Sequence, residues 1–148
     1  LAALLRRIDN FTAEEVEVAL ELIDEAIARP ESGYRCLVAL GLGGEDETLL
    51  GYTCFGQTPM TESTYDLYWI VVDAAHRDKG IGHHLLQALY ETLAHLGARL
   101  IRVETSSMES YRGSLRFYEK EGFTTAGRIP SFYKDGDDLI VMYYLLPA

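Results

Sequence analysis

The stretch with the most chemistry in it runs Asp73-Ala74-Ala75-His76-Arg77-Asp78-Lys79-Gly80-Ile81-Gly82-His83-His84-Leu85-Leu86, where an apolar strand pattern ends and a helical one opens. Glycines at 80 and 82 let the backbone approach a ligand closely, and the open amides and positive dipole end of a helix start attract phosphate. Arg77 and Lys79 add positive charge in a chain whose formal net charge is -10. On the glycines alone, a solvated loop before an ordinary helix is the commoner reading. Two nucleotide motifs compete with it. A P-loop ends in Gly-Lys followed by Ser or Thr, which this stretch lacks. A dinucleotide fingerprint sets its glycines directly after the strand and needs a third small residue where Leu85 stands; here the five residues Asp73 to Arg77 intervene. Glu104 does lie about where a ribose-binding acid belongs, yet the fingerprint fails on those two counts. His76, His83, His84 and His95 have no acidic or cysteine partner at ligand spacing, so no metal is expected. Gly136-Asp137-Asp138 matches a polymerase metal hairpin by letters alone, and turn chemistry explains it.

The elements that must hold this loop follow from periodicity. After an amphipathic start (Leu4, Leu5, Ile8), Thr12 and Glu15 form a capping box, and Val16, Ala19, Leu20, Ile23 and Ile27 recur at helical spacing before Pro30. Tyr34 to Leu40 and Leu49 to Phe55 read as an antiparallel hairpin around the glycine- and acid-rich Gly41 to Asp46. A strand over Asp66 to Val72 leads through the loop into a helix over Gly80 to Leu96, ended by Gly97, and then into a strand over Leu100 to Thr105. Such a strand-helix-strand unit predicts two parallel strands. A short helix over Arg112 to Glu121 stops at Gly122, and Phe123 to Ile129 and Leu139 to Leu146 read as strands joined through Lys134 to Asp138.

Arg77-Asp78-Lys79-Gly80-Ile81-Gly82, set between an apolar strand and a long helix, resembles the Arg/Gln-x-x-Gly-x-Gly/Ala loop of the GCN5-related N-acetyltransferases. Tyr118-Glu119-Lys120-Glu121-Gly122-Phe123 resembles that family's Tyr-x-x-x-Gly-Phe on its short last helix, at the expected distance. The likeness covers nearly the whole chain, from the Thr12 helix to Leu146; only the family's first strand has no clear counterpart, and it is expected to be missing ahead of Leu1. The resemblance implies an α/β fold with a mixed, mostly antiparallel sheet, one parallel splayed strand pair and flanking helices, the acyl-CoA N-acyltransferase fold. It implies acetyl transfer from acetyl-CoA to a primary amine by direct attack in a ternary complex. The diphosphate is then expected on Arg77, Asp78, Lys79, Gly80, Ile81 and Gly82, and the pantetheine arm along the backbone of Ile70, Val71 and Val72, where an amide also serves the oxyanion. Tyr118 matches the tyrosine that protonates the departing thiolate. Glu104 and Asp66 match glutamates that different relatives use as base, with Glu104 placed ahead and acting through a water; a lone strand carboxylate is more often a salt-bridge partner. Tyr111 stands where many relatives carry an asparagine on the pantetheine arm, which puts that contact in doubt. Phe132 and Tyr133 match acceptor-groove aromatics of peptide N-terminal acetyltransferases, although sheet packing also explains aromatics at a strand end.

Composition sets the outer limits. A chain of 148 residues, 48% hydrophobic and 24% charged, fits one soluble domain of about that size. No apolar run approaches the ~20 residues of a membrane-spanning helix, and no secretion signal opens the sequence, so cytoplasmic residence is the expectation. Net negative charge argues against nucleic acid as partner and suits a cationic acceptor. Cys36 and Cys54 lie in strand patterns and read as small buried apolar side chains. A homodimer is an expectation taken from relatives, which often pair. The competing function, of another class, is a non-catalytic acyl-CoA-binding module that regulates a partner; it keeps the loop and has no use for Tyr118 or a base.

Overall fold

The computed structural model describes residues 13–41 and 48–148. Helix α1 spans Ala13–Ala28 and is followed by strands β1 (Tyr34–Gly41), β2 (Thr48–Gln57) and β3 (Thr64–Val72). Then come α2 (Ile81–His95), β4 (Leu100–Ser106), α3 (Arg112–Lys120), β5 (Thr124–Lys134) and β6 (Asp137–Leu145). The strands form one six-stranded sheet in the order β1-β2-β3-β4-β6-β5. Every neighbouring pair is antiparallel except β3 and β4, so the expected mixed α/β sheet with one parallel pair and flanking helices is the observed fold. The Leu4–Ile8 start, the Thr12 end of the capping box, the Glu15 side chain and most of the Gly41 to Asp46 turn lie outside the described residues.

Both faces of the sheet are covered, which is why β2 is buried continuously from Gly51 to Gly56. On one face Leu86, Leu89 and Leu93 of α2 and Tyr118 of α3 pack with Phe55, Leu67, Ile101, Val103 and Met142. On the other, Ile23 of α1 packs with Tyr52, Cys54 and Val71. Each large side chain so buried stabilises the fold by roughly 1.5–3 kcal/mol.

Strand β3 departs from simple alternation. Cys54 pairs with Trp69 and the next residue, Phe55, pairs with Leu67, so Tyr68 is an extra residue, a bulge. Leu67 and Val71 are an even number of positions apart, yet they pack on opposite faces of the sheet. The bulge therefore reverses which face each later residue of β3 addresses.

The parallel pairing of β3 with β4 is short. It runs only through Thr64 with Leu100, Tyr65 with Ile101 and Asp66 with Arg102. Beyond that point β3 stays with β2 as far as Val72, and β4 stays with β6 as far as Ser106. The two strands diverge, leaving one side of β3 without a ladder partner among the described residues.

The last hairpin is longer than periodicity suggests. Strand β5 continues to Lys134, five residues past Ile129, and Asp135-Gly136 alone make the turn, with Lys134 paired to Asp137. The ladder is irregular between Ile129 and Lys134, and every residue of β5 is exposed, as befits the outermost strand.

Candidate active site

The loop between β3 and α2 is anchored before it reaches the glycines. The Asp73 amide donates to the Leu50 carbonyl at 2.8 Å, and the buried Asp73 carboxylate accepts the Ala75 amide at 3.2 Å, capping the single turn Ala74–His76. Asp78 and Gly80 then take positive φ values of 61° and 77°. Gly80 is the N-cap of α2 and has no side chain with which to cap its amides. The His84 ring donates from Nδ1 to the Gly80 carbonyl at 2.7 Å, which fixes that carbonyl toward the helix. Gly82 serves packing: a Cβ there would lie 3.1 Å from the Phe117 ring of α3. His83, one position on, bonds Glu121 at 2.8 Å and ties the start of α2 to the end of α3.

A groove of about 1510 Å³ opens from this loop into the space where β3 leaves β4. Along β4 the side chains alternate: Ile101 and Val103 point into the core beneath α2, and Arg102, Glu104 and Ser106 fall on the opposite face. Since Tyr118 from the first face and Arg102 and Glu104 from the second all line the groove, the groove passes through the sheet at the splay.

Most of the residues singled out in the sequence meet here. Ile70, Val71, Val72, Arg77, Asp78, Gly80, Ile81, Gly82, Tyr111, Tyr118, Glu104, Asp66 and Tyr133 all line the groove; Lys79 and Phe132 do not. Phe132 instead packs edge-on against Tyr133, ring centroids 5.0 Å apart. Tyr111 ends a single turn, Glu109–Tyr111, directly before α3. The Tyr118 ring is held between Phe117 and Phe123 at 5.6 and 5.3 Å, and burial pushes its phenol above the ordinary tyrosine range.

The two candidate bases meet on one cation. Arg102 donates from Nε to Asp66 Oδ1 at 2.6 Å, and its Nη1 lies 3.4 Å from Glu104 Oε1. The Asp66 side chain is 10% exposed, whereas that of Glu104 is 42% exposed. Further along, the Ser106 hydroxyl donates to the buried Asp137 carboxylate and accepts the Met108 amide at 3.0 Å, which joins the end of β4 to the start of β6. Sequence reasoning gives Arg102 and Ser106 no role and places Asp137 in a turn, whereas all three line the groove and Asp137 opens β6. Arg102 had a signal, since it lies two residues before Glu104 on a strand and so shares its face.

A mixed sheet whose one parallel pair splays beside a glycine loop at a helix start is the acyl-CoA N-acyltransferase fold. Residues 3–123 match the model of the Acetyltransferase (GNAT) family, and the chain belongs to that family. A crystal structure assigned to the GNAT family from Desulfovibrio desulfuricans is similar over 99% of this chain and 90% of its own, at 37% identity and a TM-score of 0.91. An aminoglycoside 6'-N-acetyltransferase complexed with coenzyme A shares the fold over 100% of this chain and 89% of its own, at 21% identity and a TM-score of 0.73. The uncharacterized protein ML0378 of Mycobacterium leprae is 32% identical over 115 residues, 75% of this chain; the chain spans 29% of that relative's length.

Proposed function

We propose that this chain transfers an acetyl group from acetyl-CoA to a primary amine, with both bound in the groove at once and no covalent enzyme intermediate. One observation carries the reading: β3 opens away from β4 beside the Gly80 loop, with Tyr118 on one face of the opening and Glu104 on the other. Acetyl-CoA supplies the activated acyl group. The loop fits its diphosphate, since Gly80 leaves the first amides of α2 without a side-chain cap and Arg77 adds charge. Ile70, Val71 and Val72 offer the open side of β3 to the pantetheine arm as a neighbouring strand would, and an amide there stabilises the thioester oxygen as it gains charge. Tyr111 borders the same path.

Tyr118, kept neutral by burial, donates its proton to the departing thiolate. Glu104, through a water, accepts the proton that the acceptor ammonium must lose before nitrogen attacks. Asp66 is the weaker candidate, because Arg102 holds it and little of it reaches the groove. Tyr133 contacts the acceptor, and the carboxylates of Glu104 and Asp137 in the groove suit one that carries positive charge.

A panel of polyamines, aminoglycosides, amino acids and short peptides, read by release of free coenzyme A thiol, tests the reading. Saturable release with at least one amine is expected. Saturable acetyl-CoA binding with no release across the whole panel would instead identify a non-catalytic acyl-CoA-binding regulatory module.

A further inference from the structure

We propose that Arg102 is a positioning residue: anchored on Asp66, its guanidinium holds the Glu104 carboxylate at the mouth of the splay, where the acceptor's proton is taken. The inference rests on the acetyl-transfer reading above and assigns the two carboxylates different tasks.

Three observations converge on this. Asp66 and Arg102 form the last residue pair of the parallel ladder, so the guanidinium sits at the fork where β3 and β4 part. The contacts are graded, 2.6 Å to Asp66 and 3.4 Å to Glu104, so the grip is tight on the buried carboxylate and looser on the exposed one. Asp66 is nearly enclosed, and a carboxylate there needs a fixed cation beside it. Arg102 in turn keeps its charge, since the Asp66 hydrogen bond raises its pKa above the ordinary guanidinium value.

The geometry requires an arginine. A planar guanidinium presents donors on several edges and engages two carboxylates at once, whereas a lysine ammonium is a single point charge. Glu104 stands on an exposed strand position, where an unrestrained glutamate samples many rotamers; the Nη1 contact restricts that freedom without enclosing the carboxylate. Asp66 is thereby the anchor of the guanidinium, and Glu104 is the group presented to the acceptor. A purely structural ion pair at the fork makes a different prediction, because it acts on folding and cofactor affinity rather than through Glu104.

The test is a double-mutant cycle in steady-state kinetics, using the amine that gives the fastest thiol release from the wild type. Glu104→Gln is expected to lower kcat on the order of 100-fold. Arg102→Gln is expected to lower kcat about 10- to 100-fold, with KM for acetyl-CoA changed less than about 2-fold. In the Glu104→Gln background, Arg102→Gln should cost less than about 3-fold more. Arg102→Lys should fall between wild type and Arg102→Gln. Should Arg102→Gln fail to fold because Asp66 is left buried and unpaired, Asp66→Asn combined with Arg102→Gln removes both charges and must show the same loss of kcat. Independent, multiplying losses, wild-type kcat in Arg102→Gln, or a loss confined to KM for acetyl-CoA would each overturn the proposal while leaving acetyl transfer intact. A wild type that turns over no amine overturns the transfer reading itself, and this inference with it.

Discussion

At the scale of single residues, Tyr118 carries the clearest chemical commitment. Its hydroxyl is the proposed acid, and its ring is part of the core between Phe117 and Phe123. Phenylalanine keeps the ring and removes only the hydroxyl. Tyr118→Phe is therefore expected to lower kcat about 100-fold while moving Tm by less than about 3 °C, checked by thiol release and thermal unfolding. Burial raises the Tyr118 pKa above that of a free phenol, so the acid stays protonated through neutral and mildly alkaline pH. Its ionisation should accordingly produce no fall in kcat between pH 7 and about 10, the pKa of an ordinary tyrosine. Tyr118 was legible in the sequence because its motif is local, Tyr-x-x-x-Gly-Phe. Arg102 was legible only as far as the face it shares with Glu104; its anchor, Asp66, lies 36 residues away and is brought opposite it only by the parallel register.

At the scale of elements, the loop opens α2 and the bulge turns the later residues of β3 to the other face. Gly80 at φ 77° occupies a conformation that a side chain disfavours by about 1–2 kcal/mol. Gly80→Ala should destabilise the protein by that amount in urea titrations and weaken acetyl-CoA binding about 10-fold, as loop amides lose their alignment. Gly82→Ala tests a different constraint, since its Cβ would press on the Phe117 ring at 3.1 Å; it should loosen α2 against α3 with a smaller effect on affinity. The loop, both hairpins and the parallel unit were readable from periodicity and turn residues. The bulge at Tyr68 was not, because an apolar run buried on both faces carries no alternation whose reversal a reader could see. The full length of β5 was missed for another reason. The sequence reading ends the strand at Ile129 and gives the turn to the five residues Lys134 to Asp138, whereas Asp135-Gly136 is itself the two-residue hairpin signal that sets the register of Lys134 and Asp137.

At the scale of the whole molecule, two cores on opposite faces of the sheet hold a groove that runs through it. No described helix is long and apolar enough to cross a membrane. Burial of phenols is spread across both cores and makes stability fall at high pH. Tyr52, Tyr90 and Tyr118 are raised by desolvation, and Tyr68 is pushed up to about 12. In the unfolded chain these phenols ionise near pH 10, so there the native state holds more protons than the unfolded one. The stability these groups provide is present below about pH 10 and is lost as pH rises from there through the raised native values. Urea midpoints should therefore fall between pH 9 and pH 11. The order of elements was legible in the sequence, and so was the parallel pair. The depth of the splay was not, because it depends on β3 and β4 each keeping its other neighbour to the end. Isothermal titration of the folded chain with acetyl-CoA tests the central claim most directly. One site per chain with a Kd between about 1 μM and 1 mM, weakened by Gly80→Ala, is the expected result; no saturable heat from folded protein would contradict it.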